Sequence, residues 1–221
     1  MTQQSILTER QQTVLASFAA QQDMVETFVL SGGTALAAFY LHHRTSDDLD
    51  FFSQISVDSL RVHRFAEEMR QQLGAASIEA NRLYDRHLFL LHWDSGEELK
   101  LEFTQYPYQH LEEATLQKGV RIESMRDIAA DKLAAMLDRF EPKDYYDLYV
   151  LLEKGMQLPV IRQDTEHKFH LRIDPVQLGS AFLRAQRLPI LPHLLEPIEP
   201  PAIQSFFARL AHSLKDDVIG E

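Results

Sequence analysis

The sequence predicts an α/β fold: a mixed sheet flanked by helices, followed by a helical C-terminal region. Three observations carry this. Strand-like and helix-like segments alternate over the first part of the chain. Three extended segments then follow in succession, at about 77–83, 87–93 and 99–104, the last two separated by "DSGEE", whose Ser95-Gly96 suggests a hairpin. From Ser124 onward the apolar spacing turns helical. The expected division is a sheet-bearing core over 1–123 and a helical region over 124–221.

Each element has its own warrant. Residues 7–22 place Val14, Leu15 and Phe18 at helical spacing. "VETFVL" (25–30) is β-branched and aromatic, reads as a short strand, and ends at Ser31-Gly32-Gly33. Thr34 is placed to cap a helix running to about His42. "SDDLDFF" (46–52) alternates and reads as the next strand. Asp58 or Ser59 opens a helix from Leu60 to Leu73, which Gly74 closes. "SMRDIAADKLAAMLDRF" and "KDYYDLYVLLEKG" are two further helices, the second stopped by Gly155. Beyond Pro159 the chain reads as helix and loop, interrupted by Pro175, Pro189, Pro192, Pro197, Pro200 and Pro201.

Composition narrows the function classes. A chain of 221 residues with 45% apolar residues buries a substantial core. The start, "MTQQSILTERQQ", lacks the features of a signal peptide, and no apolar run is long enough to span a bilayer. The absence of cysteine rules out disulfides and thiolate metal sites and suits a reducing cytoplasm. A net charge of −11 argues against a surface that grips nucleic acid all over, though not against a local basic groove. The mild basic excess over 160–187 (Arg162, Lys168, Arg172, Arg184, Arg187 against Asp164, Glu166, Asp174) reads as a solvated helix surface.

One stretch concentrates chemistry: "LSGGTALAAFYLHHRTSDDLDFF", Leu30 to Phe52. Glycine lets backbone approach a ligand closely, and the helix that follows offers unpaired N–H groups to an anion. Ser31 and Thr34 add hydroxyls. Asp48 and Asp50, two apart on a strand, project from one face, with Asp47 on the other. Two such carboxylates near a phosphate-binding turn suit Mg²⁺ (or Mn²⁺) carrying a nucleoside triphosphate. In "LKLEF", Lys100 and Glu102 share a strand face, so Glu102 is a third acid. Taken singly, a Gly-Gly before a helix is usually a turn, and Asp-x-Asp a solvated strand end. Lys132 lies in or beside an apolar stripe through Met125, Ile128 and Met136, so it either snorkels to water or enters a polar pocket. Asp144 and Asp147 share a helix face, and Asp144 also suits the dipole of a first turn.

Together, "LSGGTALAAFYLHHRTSDDLDFF", "LKLEF" and "DKLAAMLDRFEPKDYYDLYVLL" resemble the AbiEii/AbiGii toxin family of nucleotidyltransferases, toxin halves of abortive-infection toxin–antitoxin pairs. The resemblance covers roughly residues 20–155 and rests on the order and spacing of the blocks. It implies a nucleotidyltransferase fold and the transfer of NMP from an NTP to a hydroxyl acceptor, an RNA such as the 3′ end of tRNA, under restraint by a separately encoded antitoxin. It also implies site roles. Ser31, Gly32, Gly33, Thr34 and Arg44 would serve the nucleotide. Asp48, Asp50 and Glu102 would hold metal, and Asp48, Asp50, Lys132 and Asp147 would be the catalytic set. Arg44 would meet phosphate or pair with one of the acids.

Departures from the family pattern are Glu102, where Asp is more frequent, and Lys143, where Arg is common and an amine offers no planar fork. The same residues admit a rival reading, a nucleotidyltransferase-like module that keeps the fold without the reaction. Tyr145, Tyr146 and Tyr149 read as packing residues and His42-His43 as a helix end. His167 and His170 have metal-compatible spacing but no third ligand.

Overall fold

The computed structural model describes residues 6–191, 194–195 and 197–214; Pro192 lies outside them. The chain forms two compact units, Met1–Ser124 and Met125–Glu221.

The first unit opens with α1 (Glu9–Ala19), started by a reciprocal cap in which Thr8 and Gln11 satisfy each other's backbone N–H groups. Residues 25–27 belong to α2 (Gln22–Thr27), not to a strand; β1 is only Val29–Ser31. Burial of Met24 and the bond from the Phe28 N–H to its carbonyl close a helical turn over residues of good strand propensity. Next comes α3 (Gly32–Leu36), continued by a π-helical turn (Ala37–Leu41) that ends on His42 in the left-handed region, φ 54°. Thr34 is therefore inside the helix, and Ser31 holds the capping position without a side-chain bond to it.

The strand β2 (Leu49–Ser53) starts later than the alternation suggests and leaves Asp48 just ahead of it. The helix α4 (Ser59–Gln72) is capped by Asp58, which accepts from the N–H groups of Leu60 and Arg61. Then come β3 (Ser77–Leu83), β4 (Arg86–His92) and β5 (Glu98–Gln105). A hairpin absent from the sequence reading follows, β6 (Thr115–Gln117) and β7 (Val120–Ile122). Its turn residues, Lys118 (φ 50°) and Gly119 (φ 79°), are both left-handed, as the tightest hairpin connection requires.

The seven strands form one mixed sheet in the order β3-β4-β5-β2-β1-β7-β6. At its centre β2 runs antiparallel to β1 and parallel to β5, which sets Ser31 opposite Asp50 and Asp50 beside Glu102. Alternation along these strands divides two chemistries. One face carries Phe51, Leu101 and Phe103, all buried, with Phe51 stacked on Phe18 (4.4 Å between ring centres) and on Phe103 (5.0 Å). Phe65 of α4 meets Phe18 edge-on. Each buried ring contributes on the order of 1.5–3 kcal/mol, so this face fixes the register. The opposite face receives Asp50, Lys100, Glu102 and Thr104.

The second unit is helical: α5 (Met125–Asp138), α6 (Pro142–Glu153), α7 (Leu158–Phe169), α8 (Pro175–Leu183) with a 3₁₀ turn (Arg184–Arg187), and α9 (Pro200–Ser213). Tyr145 and Tyr146 are buried and donate to the carbonyls of Ala181 (2.7 Å) and Pro189 (3.2 Å); Tyr149 meets Phe206 edge-on. The expected solvated surface around Lys168 is not one. Lys168 is buried between Asp127 (2.9 Å) and Asp131 (2.8 Å), and Asp164 receives a two-bond fork from Arg126.

Candidate functional site

On the polar face of the sheet, three carboxylates converge on one cation. The Lys100 Nζ stands 3.1 Å from Asp48 Oδ2, 3.4 Å from Asp50 Oδ1 and 3.4 Å from Glu102 Oε2. The register explains it: Asp50 sits beside Glu102 on parallel strands, Lys100 lies two residues before Glu102 on β5, and Asp48 lies two residues before Asp50, just ahead of β2. Asp47 is exposed and takes no part in this group.

Glu102 is the most buried of the three, and its carboxylate is also anchored. Arg86 donates to Oε1 (2.8 Å) and Oε2 (3.0 Å), and the Thr104 hydroxyl donates to Oε1 (2.8 Å). Burial alone would raise the Glu102 carboxyl above its ordinary range; Arg86, Lys100 and Thr104 reverse that and hold it below. Asp50 goes the other way. Burial pushes it up, the charges of Glu102 and Asp48 add to this, and Lys100 only partly offsets it. Burial disfavours the charged Lys100 amine, yet the three carboxylates outweigh it and raise its pKa.

The glycine pair has a steric reason. Gly32 is left-handed (φ 69°), and a Cβ there would lie 2.5 Å from Asp50 Oδ2. At Gly33 a Cβ would collide with the Arg44 guanidinium. Both glycines thus let backbone touch charged side chains. Arg44 is buried beneath this turn and donates to the Thr45 carbonyl (2.9 Å). The hydroxyls of Ser31 and Thr34, expected to serve the nucleotide, each donate within the fold. Ser31 donates to the Glu123 carboxylate and Thr34 to the Asp48 carbonyl. The latter bond ties α3 to the segment that presents Asp48.

Lys132 and Asp147 meet within the helical unit. Lys132 Nζ lies 2.7 Å from Asp144 Oδ1 and 2.7 Å from Asp147 Oδ2, and Arg139 reaches Asp144 at 3.3 Å. All three side chains of the core trio are buried or nearly so, so the polar-pocket alternative for Lys132 is the observed one. Asp144 does more than favour a helix dipole: Glu141, not Asp144, caps α6, and Asp144 is one jaw of the lysine clamp.

One participant escaped the sequence reading, and another was read only in part. Arg86 gave no local signal, because its partner is sixteen residues away across a strand pair. Lys100 was visible as the face-mate of Glu102, but its place at the focus of three acids depends on a parallel register that periodicity does not encode.

The mixed seven-stranded sheet with flanking helices that carries this site is a nucleotidyltransferase-like fold, shared with solved structures. The chain is similar to MenT4, a nucleotidyltransferase toxin from Mycobacterium tuberculosis (TM-score 0.59, 17% identity, 94% of this chain and 82% of that one). It is also similar to JHP933 from Helicobacter pylori (TM-score 0.57, 20% identity, 97% and 95%). At these identities the likeness shows the fold. The family model described as "Nucleotidyl transferase AbiEii toxin, Type IV TA system" matches residues 13–216. The chain belongs to that family, and its enzyme class is nucleotidyltransferase. An uncharacterized protein of Aquifex aeolicus is 33% identical over 147 residues, 64% of this chain and 66% of that protein, so the match spans just under two thirds of that relative's length.

Proposed function

We propose that this protein moves NMP from an NTP to a hydroxyl of an RNA acceptor, such as the 3′ end of tRNA, in a reaction dependent on Mg²⁺ or Mn²⁺. It would act in the cytoplasm as a toxin restrained by a separately encoded antitoxin. The attacking hydroxyl gives up its proton to solvent as its oxygen bonds to the α-phosphorus, the bond from that phosphorus to the β-bridging oxygen breaks, and pyrophosphate leaves.

The observation that carries the reading is the convergence of Asp48, Asp50 and Glu102 on one cation, the Lys100 ammonium. A hard divalent ion takes such oxygen donors, so the residues present fit it. When bound, the metal supplies charge neutralisation on the phosphates and orientation of the hydroxyl.

The chain's own residues have these roles. Asp48 and Asp50 present the metal-facing oxygens. Glu102, locked by Arg86 and Thr104, keeps the third carboxylate fixed in direction. Gly32 keeps the space beside Asp50 free of side chain, Gly33 does the same beside Arg44, and both offer backbone N–H groups to the triphosphate. Arg44 stiffens that turn from below, and Ser31 and Thr34 serve it through their internal bonds and backbone. Lys132 is oriented by Asp144 and Asp147 within the helical unit, and the family resemblance would give it phosphate or the attacking group as its partner. Among the described residues no helix is long and apolar enough to cross a membrane.

The test is to incubate the protein with each labelled NTP, Mg²⁺ and total cellular RNA, beside Asp48→Ala and Lys132→Ala. Label in a tRNA-sized band with the intact protein alone is the expected result. Label on no macromolecule with any NTP overturns the proposal.

A further inference from the structure

The lysine at the centre of the acidic group is unusual for a metal site. An ammonium on a four-carbon stem is a compact charge with three donors that swings freely, unlike the planar fork of Arg86, which is committed to Glu102 by two bonds. Lys100 is the more weakly held of the two. Its contacts are 3.1 to 3.4 Å long, against 2.8 and 3.0 Å for those of Arg86. It occupies the point toward which all three acids turn, so a divalent ion and the ammonium cannot share that point.

We propose, resting on the metal-site reading above, that Lys100 is a tethered counter-cation. It fills the acidic group when no metal is bound, and swings onto the triphosphate when a metal–triphosphate complex enters. Asp48, Asp50 and Glu102 then never face one another without a cation. Two consequences follow from charge balance alone. Metal arriving without phosphate must displace a cation that has no new anion to meet, so it binds weakly. Metal arriving with a polyphosphate gives the displaced ammonium a partner, so the two ligands favour each other's binding. Lys100 is thereby a positioning residue that makes the site selective for metal carried by polyphosphate over free metal.

The experiment uses the full chain and two probes, Mn²⁺ alone (by electron paramagnetic resonance) and tripolyphosphate with saturating Mn²⁺ (by calorimetry). The variants are Lys100→Met and, as a version that keeps stem length and polarity should methionine disturb folding, Lys100→Gln. Asp50→Asn identifies which Mn²⁺ belongs to this site. The expected result is Mn²⁺ alone binding about tenfold more tightly to either Lys100 variant than to the wild type, with tripolyphosphate binding about fivefold more weakly. Equal Mn²⁺ affinity in wild type and both variants, lost in each with Asp50→Asn, overturns the role of Lys100 while leaving the metal site standing. Mn²⁺ binding that Asp50→Asn does not reduce in any background overturns both.

Discussion

Replacing Lys132 with methionine tests the buried clamp of the helical unit. The substitution keeps an unbranched apolar stem of similar length and removes the ammonium, its charge and its donors together. It leaves Asp144 and Asp147, at most 1% exposed, without a cation that stood 2.7 Å from each; Arg139 stays 3.3 Å from Asp144. Removing one partner of a buried pair costs about 3–5 kcal/mol, because the remaining charge keeps its desolvation penalty. The lower end applies here, since Lys132 is 9% exposed and Arg139 remains. A loss of about 3 kcal/mol in a chain of this length lowers Tm by roughly 6–12 °C. Thermal unfolding followed by circular dichroism at neutral pH measures it. The triple variant Lys132→Met, Asp144→Asn, Asp147→Asn removes the stranded charges and should recover at least half of the loss. A Tm for Lys132→Met within about 2 °C of wild type would refute the claim that these carboxylates depend on this lysine.

Other outcomes follow from the same structure. Gly32→Ala forces a left-handed alanine, at about 1–2 kcal/mol, and a Cβ 2.5 Å from Asp50 Oδ2; transfer activity should fall at least about tenfold in a protein that still folds, by calorimetry and labelling. Asp50→Asn should stabilise the metal-free protein. The Asp50 carboxyl is raised in the fold, so ionising it opposes folding. The gain is absent below its unfolded pKa near 3.8 and grows as pH rises toward neutrality, as urea midpoints at several pH values will record. His87 has the opposite dependence. Burial, Arg82 and His63 hold its ring below the ordinary 6.5, with Asp85 opposing. The unfolded chain therefore takes up a proton that the fold resists, and wild-type stability falls as pH drops below about 6.5. His87→Phe should flatten that slope between pH 7 and 5, read by the same urea midpoints.

Much of the fold was legible because the residues that specify it are local. The spacing of Val14, Leu15 and Phe18, the cap at Asp58, Gly74 and the 3.6-residue spacing of α5 and α6 each determine an element within a few positions. Val25 to Thr27 misled because burial of Met24 outweighs strand propensity. The β6–β7 hairpin was missed because three-residue strands carry no period; only Lys118-Gly119 marks it. In the candidate site, Asp48, Asp50 and Glu102 were readable as residue types at strand spacing. Their convergence was not, because it depends on β2 lying parallel to β5 in one register. The glycines were noticed for the right place and given an incomplete reason: close contact with Asp50 and Arg44 is visible only once those side chains are in position. Lys168 looked like a surface charge because its partners, Asp127 and Asp131, lie on a different helix.

Nucleotide binding with and without divalent metal addresses the carboxylate group most directly. Calorimetry of each NTP against wild type, Asp48→Ala and Asp50→Ala, in Mg²⁺ and then in excess chelator, is the measurement. Binding that requires Mg²⁺ and disappears in both variants is expected if these acids are the metal seat of the reaction. Binding of equal strength in chelator, unchanged by either substitution, would contradict it.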